Sequence, residues 1–167
     1  MSAPVSLVRL FEPWSHFYSD SKVVPTILVF THIAALVFGG GLAVTIDRAT
    51  LRAVRGSGDL RSRHLDELGA AHRLVLTGLA LSFVTGVLLF TTDIETFFGS
   101  WIYWTKMTLV VLLLANGYAM TRAESRIRTV SEAGLENSWK RLRTTAVVSL
   151  TLWFAIALAG VALAEAV

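Results

Sequence analysis

Cysteine is absent from this chain of 167 residues, which excludes disulfides, thiolate metal sites and cysteine nucleophiles. Charge is also scarce, because Asp, Glu, Lys and Arg make up 16% of the residues whereas 54% are hydrophobic and the mean hydropathy is +0.61. A soluble domain of this size would carry more charge. The chain lacks a glycine-rich phosphate loop, an HExxH pair and a nucleophile motif. Its N-terminus has no basic stretch followed directly by an apolar run, so no cleavable signal peptide is expected. The composition predicts one integral membrane domain over residues 1–167.

Four apolar stretches, at about 23–45, 71–92, 101–121 and 144–164, are each long enough to cross a bilayer as a helix. No Asp, Glu, Lys or Arg lies between Val23 and Thr45. The predicted fold class is all-α, an integral membrane four-helix bundle with antiparallel, up-down helices. Residues 1–20 carry leucine and aromatic side chains at helical spacing, which indicates a short helical segment in the membrane interface. Pro13 argues against a single unbroken helix there.

Charge is distributed unevenly between the connections. Basic residues concentrate in two predicted loops, 46–70 and 122–143, whereas the connection DIETFFGS is short and acidic. The positive-inside rule places both basic loops in the cytoplasm and both termini outside, in a bacterial inner membrane. The net charge of +3 therefore indicates topology, not nucleic-acid binding. The expected partner is the lipid bilayer, and a homo-oligomer or other membrane subunits stay open.

His32 is the one ionisable side chain inside the first apolar stretch. An ionisable group at membrane depth is costly and usually faces a bundle interior, so it is a candidate functional residue. Gly39 follows seven residues later on the same helical face, which should pack closely against a neighbour. Two alternatives remain: His32 makes one interhelical hydrogen bond that fixes packing, or it binds a cofactor or handles protons.

Lys106 is the natural neighbour of His32. By helix rise, Lys106 lies roughly 8 Å and His32 about 15 Å below the outer surface. The lysine could extend outward to the interface, or inward to form a polar pocket with His32 and with residues such as Ser82, Thr85 and Trp153. A cation beside a neutral imidazole suits an anionic substrate or a haem propionate.

His72 and Arg73 are expected about 30 Å deep, at the cytoplasmic boundary, where they could meet lipid headgroups or propionates. His32 and His72 then differ in height by about 15 Å, too far for both to ligate one iron. The two remaining histidines, His16 and His64, are predicted to be solvated. The predicted spans contain no paired carboxylates, and methionines are too few for a copper path.

Three features together, the first-span FTHIAALVFGGG, the basic first loop and the third-span WIYWTKMTLVVLLLANG, resemble a group of four-span bacterial families. These are the copper-resistance D domain and the HemJ-type protoporphyrinogen oxidases, whose first span carries a histidine and whose third carries a lysine. His32 and Lys106 are the two residues that match this pattern. The resemblance implies association with haem b or a porphyrin.

The leading hypothesis is therefore a small redox-type membrane protein that binds haem b or a porphyrin, with His32 as the metal ligand. Lys106, His72 and Arg73 are the other candidate cofactor-binding residues, and no catalytic residue is assigned. One alternative is a non-catalytic accessory subunit that packs in a respiratory or photosynthetic complex. A second is a transporter for a metal or small solute, which the lack of broken helices and of carboxylates in the spans weakens.

Overall fold

The computed structural model describes residues 3–56, 58–129 and 132–166, and all regular secondary structure in these ranges is helical. The predicted all-α fold class is confirmed. The helices are α1 (Val5–Asp20), α2 (Val23–Arg55), α3 (Gly58–Phe90), α4 (Ile94–Gly99), α5 (Trp101–Thr129) and α6 (Glu132–Ala166).

Three helical segments are long and apolar enough to cross a membrane: Val23–Arg55, Ala71–Phe90 and Gly134–Ala166. Only 28%, 17% and 28% of their most apolar windows are buried inside the protein, so most of this apolar surface faces outward. A surface of this kind needs lipid around it. α5 is not among the three, because Lys106 and Asn116 interrupt its apolar sequence.

The stretches 46–70 and 122–143 are largely helical where the structure describes them, so neither is an extended loop. The sequence also predicts that the first span continues for a turn or two and that the chain turns at the GSG segment, and the ends of α2 and α3 agree with this. α2 continues to Arg55 and α3 begins at Gly58, so the first connection is confined to residues around Gly56. A helix of 33 residues is about 50 Å long, whereas the hydrocarbon core is about 30 Å thick. Hydropathy therefore locates the end of the apolar stretch but not the end of the helix. The helix continues through residues that favour helix formation, such as Ala, Leu and Arg.

The acidic connection also contains a helix, since α4 follows Asp93 directly. The Asp93 carboxylate accepts a hydrogen bond from the backbone N–H of Thr96 at 3.1 Å, which caps the first turn.

The N-terminal segment is one helix with Pro13 inside it, so the prediction from Pro13 of a broken helix is wrong. Contacts with the end of α3 hold this region in place. The Trp14 indole N–H donates to the Leu88 carbonyl at 3.2 Å, and the Ser15 hydroxyl donates to the Thr92 carbonyl at 2.7 Å. This docking offsets the backbone hydrogen bond that proline cannot donate.

The long helices pack in the spatial order α3, α2, α6, α5. α2 and α3 are antiparallel, because His32 pairs with Thr85 near one end and Thr50 pairs with His64 near the other. One apolar cluster lies mid-bundle and comprises Ala43, Leu113, Trp153 and Ile156. A second lies at the end that carries the basic residues and includes Leu68, Met120, Trp139 and Leu142.

Candidate functional site

The His32 imidazole is fixed by a threonine of the neighbouring helix. His32 Nδ1 lies 3.0 Å from Thr85 Oγ1. The Thr85 hydroxyl also lies 2.8 Å from the Leu81 carbonyl and 3.1 Å from the Ser82 carbonyl. When its single proton is donated to one of these carbonyls, Thr85 accepts from His32 Nδ1–H and Nε2 presents a lone pair. In that tautomer His32 is suited to bind a metal or to accept a proton.

Small residues on α3 allow this contact. A Cβ added at Gly86 would lie 3.2 Å from His32 Cε1, so a larger residue would press against the ring. About two turns away on α3, a Cβ added at Gly78 would come within 2.8 Å of the Cα of Gly39. The Ser82 carbonyl, between Gly78 and Gly86 in the sequence, faces the imidazole. The predicted close packing at Gly39 is confirmed, and the face of α3 that it meets carries small residues.

Lys106 is directed into the bundle. Its Nζ lies 3.8 Å from the position that a Cβ would take at Gly160 of α6, and it is within electrostatic range of the His32 ring. The inward alternative therefore describes Lys106 better than extension to the interface. His32 and Lys106 approach the same part of the bundle from α2 and α5.

An apolar groove lies beside Thr85, between α1, α2 and α3. Its volume is about 210 Å³. Thr85, which contacts His32, is part of its wall, and the other lining residues are Trp14, Val24, Ile27, Leu28 and Thr31. Pockets that bind small organic ligands are commonly about 300–1,000 Å³ and mostly apolar, so this groove shares their apolar character but is smaller.

His72 and Arg73 are not part of this arrangement. His72 is thirteen residues before Thr85 on α3, about 20 Å along the helix. Arg73 is exposed, and its carbonyl accepts from the Thr77 hydroxyl at 2.9 Å. The separation expected between His32 and His72 agrees with this placement.

The structure brings together a second polar cluster that the sequence did not predict. Asp47 and Thr50 of α2, His64 of α3 and Ser149 of α6 are all buried. The prediction that His64 is solvated is wrong: it is 8% exposed, and its Nε2 lies 2.7 Å from Thr50 Oγ1. The sequence contains a pattern that indicates the burial of Asp47 and Thr50. At heptad spacing, both residues continue the face of α2 that carries His32, Gly39 and Ala43.

Within the described residues, no three His, Cys, Asp or Glu side chains come together as a metal-binding group. A site in which the protein alone supplies three such ligands is therefore not formed there. A haem needs only one or two axial ligands from the protein, so this finding does not bear on His32.

The structure is that of an all-helical membrane protein in which His32 and Lys106 lie in the same half of the helix bundle. Comparisons with protein families, with curated proteins and with solved structures find no match to this chain.

Proposed function

We propose that this chain is a four-span membrane protein that binds haem b or a related porphyrin, with His32 as the axial ligand. The observation that carries the proposal is the hydrogen bond between His32 Nδ1 and Thr85, because the tautomer that donates from Nδ1 leaves the Nε2 lone pair available to a metal. Histidines that ligate metals usually donate their other ring N–H to a fixed acceptor, and Thr85 has that role here. A bound haem would supply one-electron redox chemistry.

The fourth span is α5, which packs along α6. Its two polar interruptions lie on that side, because Lys106 Nζ approaches Gly160 and the Asn116 amide donates to the Thr145 carbonyl at 2.9 Å. Its outward side presents Val111, Leu112 and Leu114. An average hydropathy taken over all sides of α5 therefore understates how apolar its lipid-facing side is.

The groove and Lys106 fit the chemistry of a porphyrin. The macrocycle is apolar, as is the groove beside Thr85, and its propionates are anionic, which would suit an ammonium such as that of Lys106. His72 is too far along α3 to ligate the same iron as His32.

The distribution of basic residues supports one topology of the four-span protein in the membrane. They cluster on the ends of α2, α5 and α6 that lie away from His32. The positive-inside rule then places this end in the cytoplasm of a bacterium and His32 in the outer half.

The test is the visible spectrum of the protein purified with haem supplied during expression. We expect a Soret band that is lost in His32→Ala and retained in His72→Ala, the matched histidine control. Absence of the band from the native chain would overturn the proposal. Co-migration of that pigment-free chain with a large complex on a native gel would favour the accessory-subunit alternative.

A further inference from the structure

A buried carboxylate lies at the other end of the bundle from His32. Asp47 is 2% exposed, and within the described residues its Oδ2 has no hydrogen-bond partner. An ionised carboxylate that is removed from water without a partner is strongly unfavourable, so it binds a proton or a cation.

The surroundings of Asp47 are polar but uncharged. The Ser149 hydroxyl on α6 donates to the carboxylate. The arginines that follow on α2, Arg48 and Arg52, are exposed. His64 of α3 is a titratable group that is joined to this face through Thr50.

The packing at this level favours a proton over a metal ion. Thr50, Leu142 and Ala146 have no accessible surface. A divalent cation takes six or more oxygen ligands, or a group of strong side-chain ligands, and no such group occurs among the described residues. A proton needs no added space. It would also let Oδ2 donate to a helix carbonyl, as the hydroxyls of Thr45 and Thr50 do on the same helix.

We propose that Asp47 is a proton-binding site that exchanges with the basic end of the bundle through Thr50 and His64. The Thr50 hydroxyl lies 3.0 Å from the Ile46 carbonyl and 2.7 Å from His64 Nε2. Thr50 and Asp47 are three residues apart on one face of α2, which puts their Cβ atoms about 5–6 Å apart. In the transfer, the Thr50 hydroxyl turns from the Ile46 carbonyl toward Asp47 and gives its proton to Oδ2. Thr50 Oγ1 takes the Nε2 proton of His64 as the other ring nitrogen of His64 takes a proton from the solvent, so the imidazole stays neutral.

The Asp47 site is separate from the His32 site. The two residues are fifteen positions apart on α2, about 22 Å along the helix. The apolar cluster of Ala43, Leu113, Trp153 and Ile156 lies between them. Exchange therefore occurs from the basic end, and the inference stands whether or not His32 binds haem.

Infrared spectroscopy of the full chain in lipid nanodiscs tests the proposal. A protonated carboxyl has a carbonyl stretch above the bands of ionised carboxylates. We expect this band at neutral pH in the native chain and in Asp20→Asn, an exposed matched control, and its loss in Asp47→Asn. No such band in the native chain, or its persistence in Asp47→Asn, would overturn the proposal. So would stabilisation by Na⁺ that Asp47→Asn abolishes, since it would show an ionised carboxylate.

The route is tested by transfer into D₂O. In Thr50→Val the band should remain, but its deuterium shift should slow by about tenfold, the effect of losing one hydrogen bond to a charged group. His64→Gln should slow the shift in the same direction. Exchange at the native rate in both variants would contradict the route.

Discussion

His32 gains its chemical character from a single neighbour. Its Nδ1 pairs with Thr85, whose hydroxyl also reaches a carbonyl of its own helix. When the hydroxyl proton is on that carbonyl, the ring proton is on Nδ1 and Nε2 can bind a metal. The threonine is as much part of the site as the histidine.

Thr85→Val should therefore weaken haem binding without removing His32. The isosteric valine cannot accept from Nδ1, so neither the ring orientation nor the tautomer is fixed. Loss of such a supporting partner typically lowers metal affinity by about 10- to 100-fold. The measurement is titration of the haem-free protein with haem in detergent, followed at the Soret band.

The matched control is Thr45→Val. The Thr45 hydroxyl donates to the Gly41 carbonyl of its own helix at 2.8 Å, and Thr45 is not among the residues that line the groove. Haem affinity should stay native in this variant. Equal affinities in the two valine variants would show that Thr85 does not orient His32.

Individual residues differ in how far the sequence predicts them. His32 and Lys106 stand out because each is a lone ionisable group in an apolar stretch. Asp47 and His64 lie among many charges, where a buried group looks like its solvated neighbours. Only the packing of α3 and α6 over α2 distinguishes the buried Asp47 and His64 from the solvated charges around them. The role of the Thr85 hydroxyl cannot be predicted from the sequence until the helix that packs against it is known.

At the scale of the element, α2 and α3 are joined by backbone contact. Gly39 and Gly78 meet where a side chain on either helix would keep the helices apart. The same register places Thr85 against His32 and His64 against Thr50. Both polar sites therefore depend on this crossing.

Gly78→Ala should destabilise the protein. The new Cβ would lie 2.8 Å from the Cα of Gly39, a backbone atom that can move only with its helix. Overpacking of this kind costs about 1–3 kcal/mol. The measurement is the midpoint of thermal unfolding in detergent.

Gly41→Ala is the matched control, since a Cβ at Gly41 meets nothing within 4 Å. Its midpoint should be native or slightly higher, because alanine favours a helix over glycine by about 1 kcal/mol. If Gly78→Ala were as stable as Gly41→Ala, the close approach of α2 and α3 would not be a main source of stability.

The ends of the elements were harder to predict than their existence. The apolar stretches located all four long helices, but charged residues were interpreted as loops at 46–70 and 122–143. Charges on one side of a helix do not stop it, and residues around Gly56 are what end α2. α4 was missed because six residues are too few for a periodic pattern.

At the scale of the whole molecule, the outward apolar surface requires lipid. The packing order α3, α2, α6, α5 places both polar sites between helices. The number of crossings is the remaining question of architecture, and it depends on α5. With four spans, the two ends of α5 lie on opposite sides of the membrane. If α5 does not cross, they lie on the same side.

Single-cysteine labelling distinguishes these cases cleanly, because the chain has no cysteine of its own. Ser19→Cys, Thr96→Cys and Ser125→Cys each introduce a thiol at an exposed position, on α1, on α4 and near the far end of α5. In spheroplasts, a membrane-impermeant maleimide should label positions 19 and 96 but not position 125, because α5 carries the chain to the basic side. All three should be labelled after lysis. Labelling of position 125 in intact spheroplasts together with position 96 would leave α5 on one side of the bilayer. Lys106 would then face water instead of the interior site, and the pairing of Lys106 with His32 on which the porphyrin proposal draws would have to be abandoned.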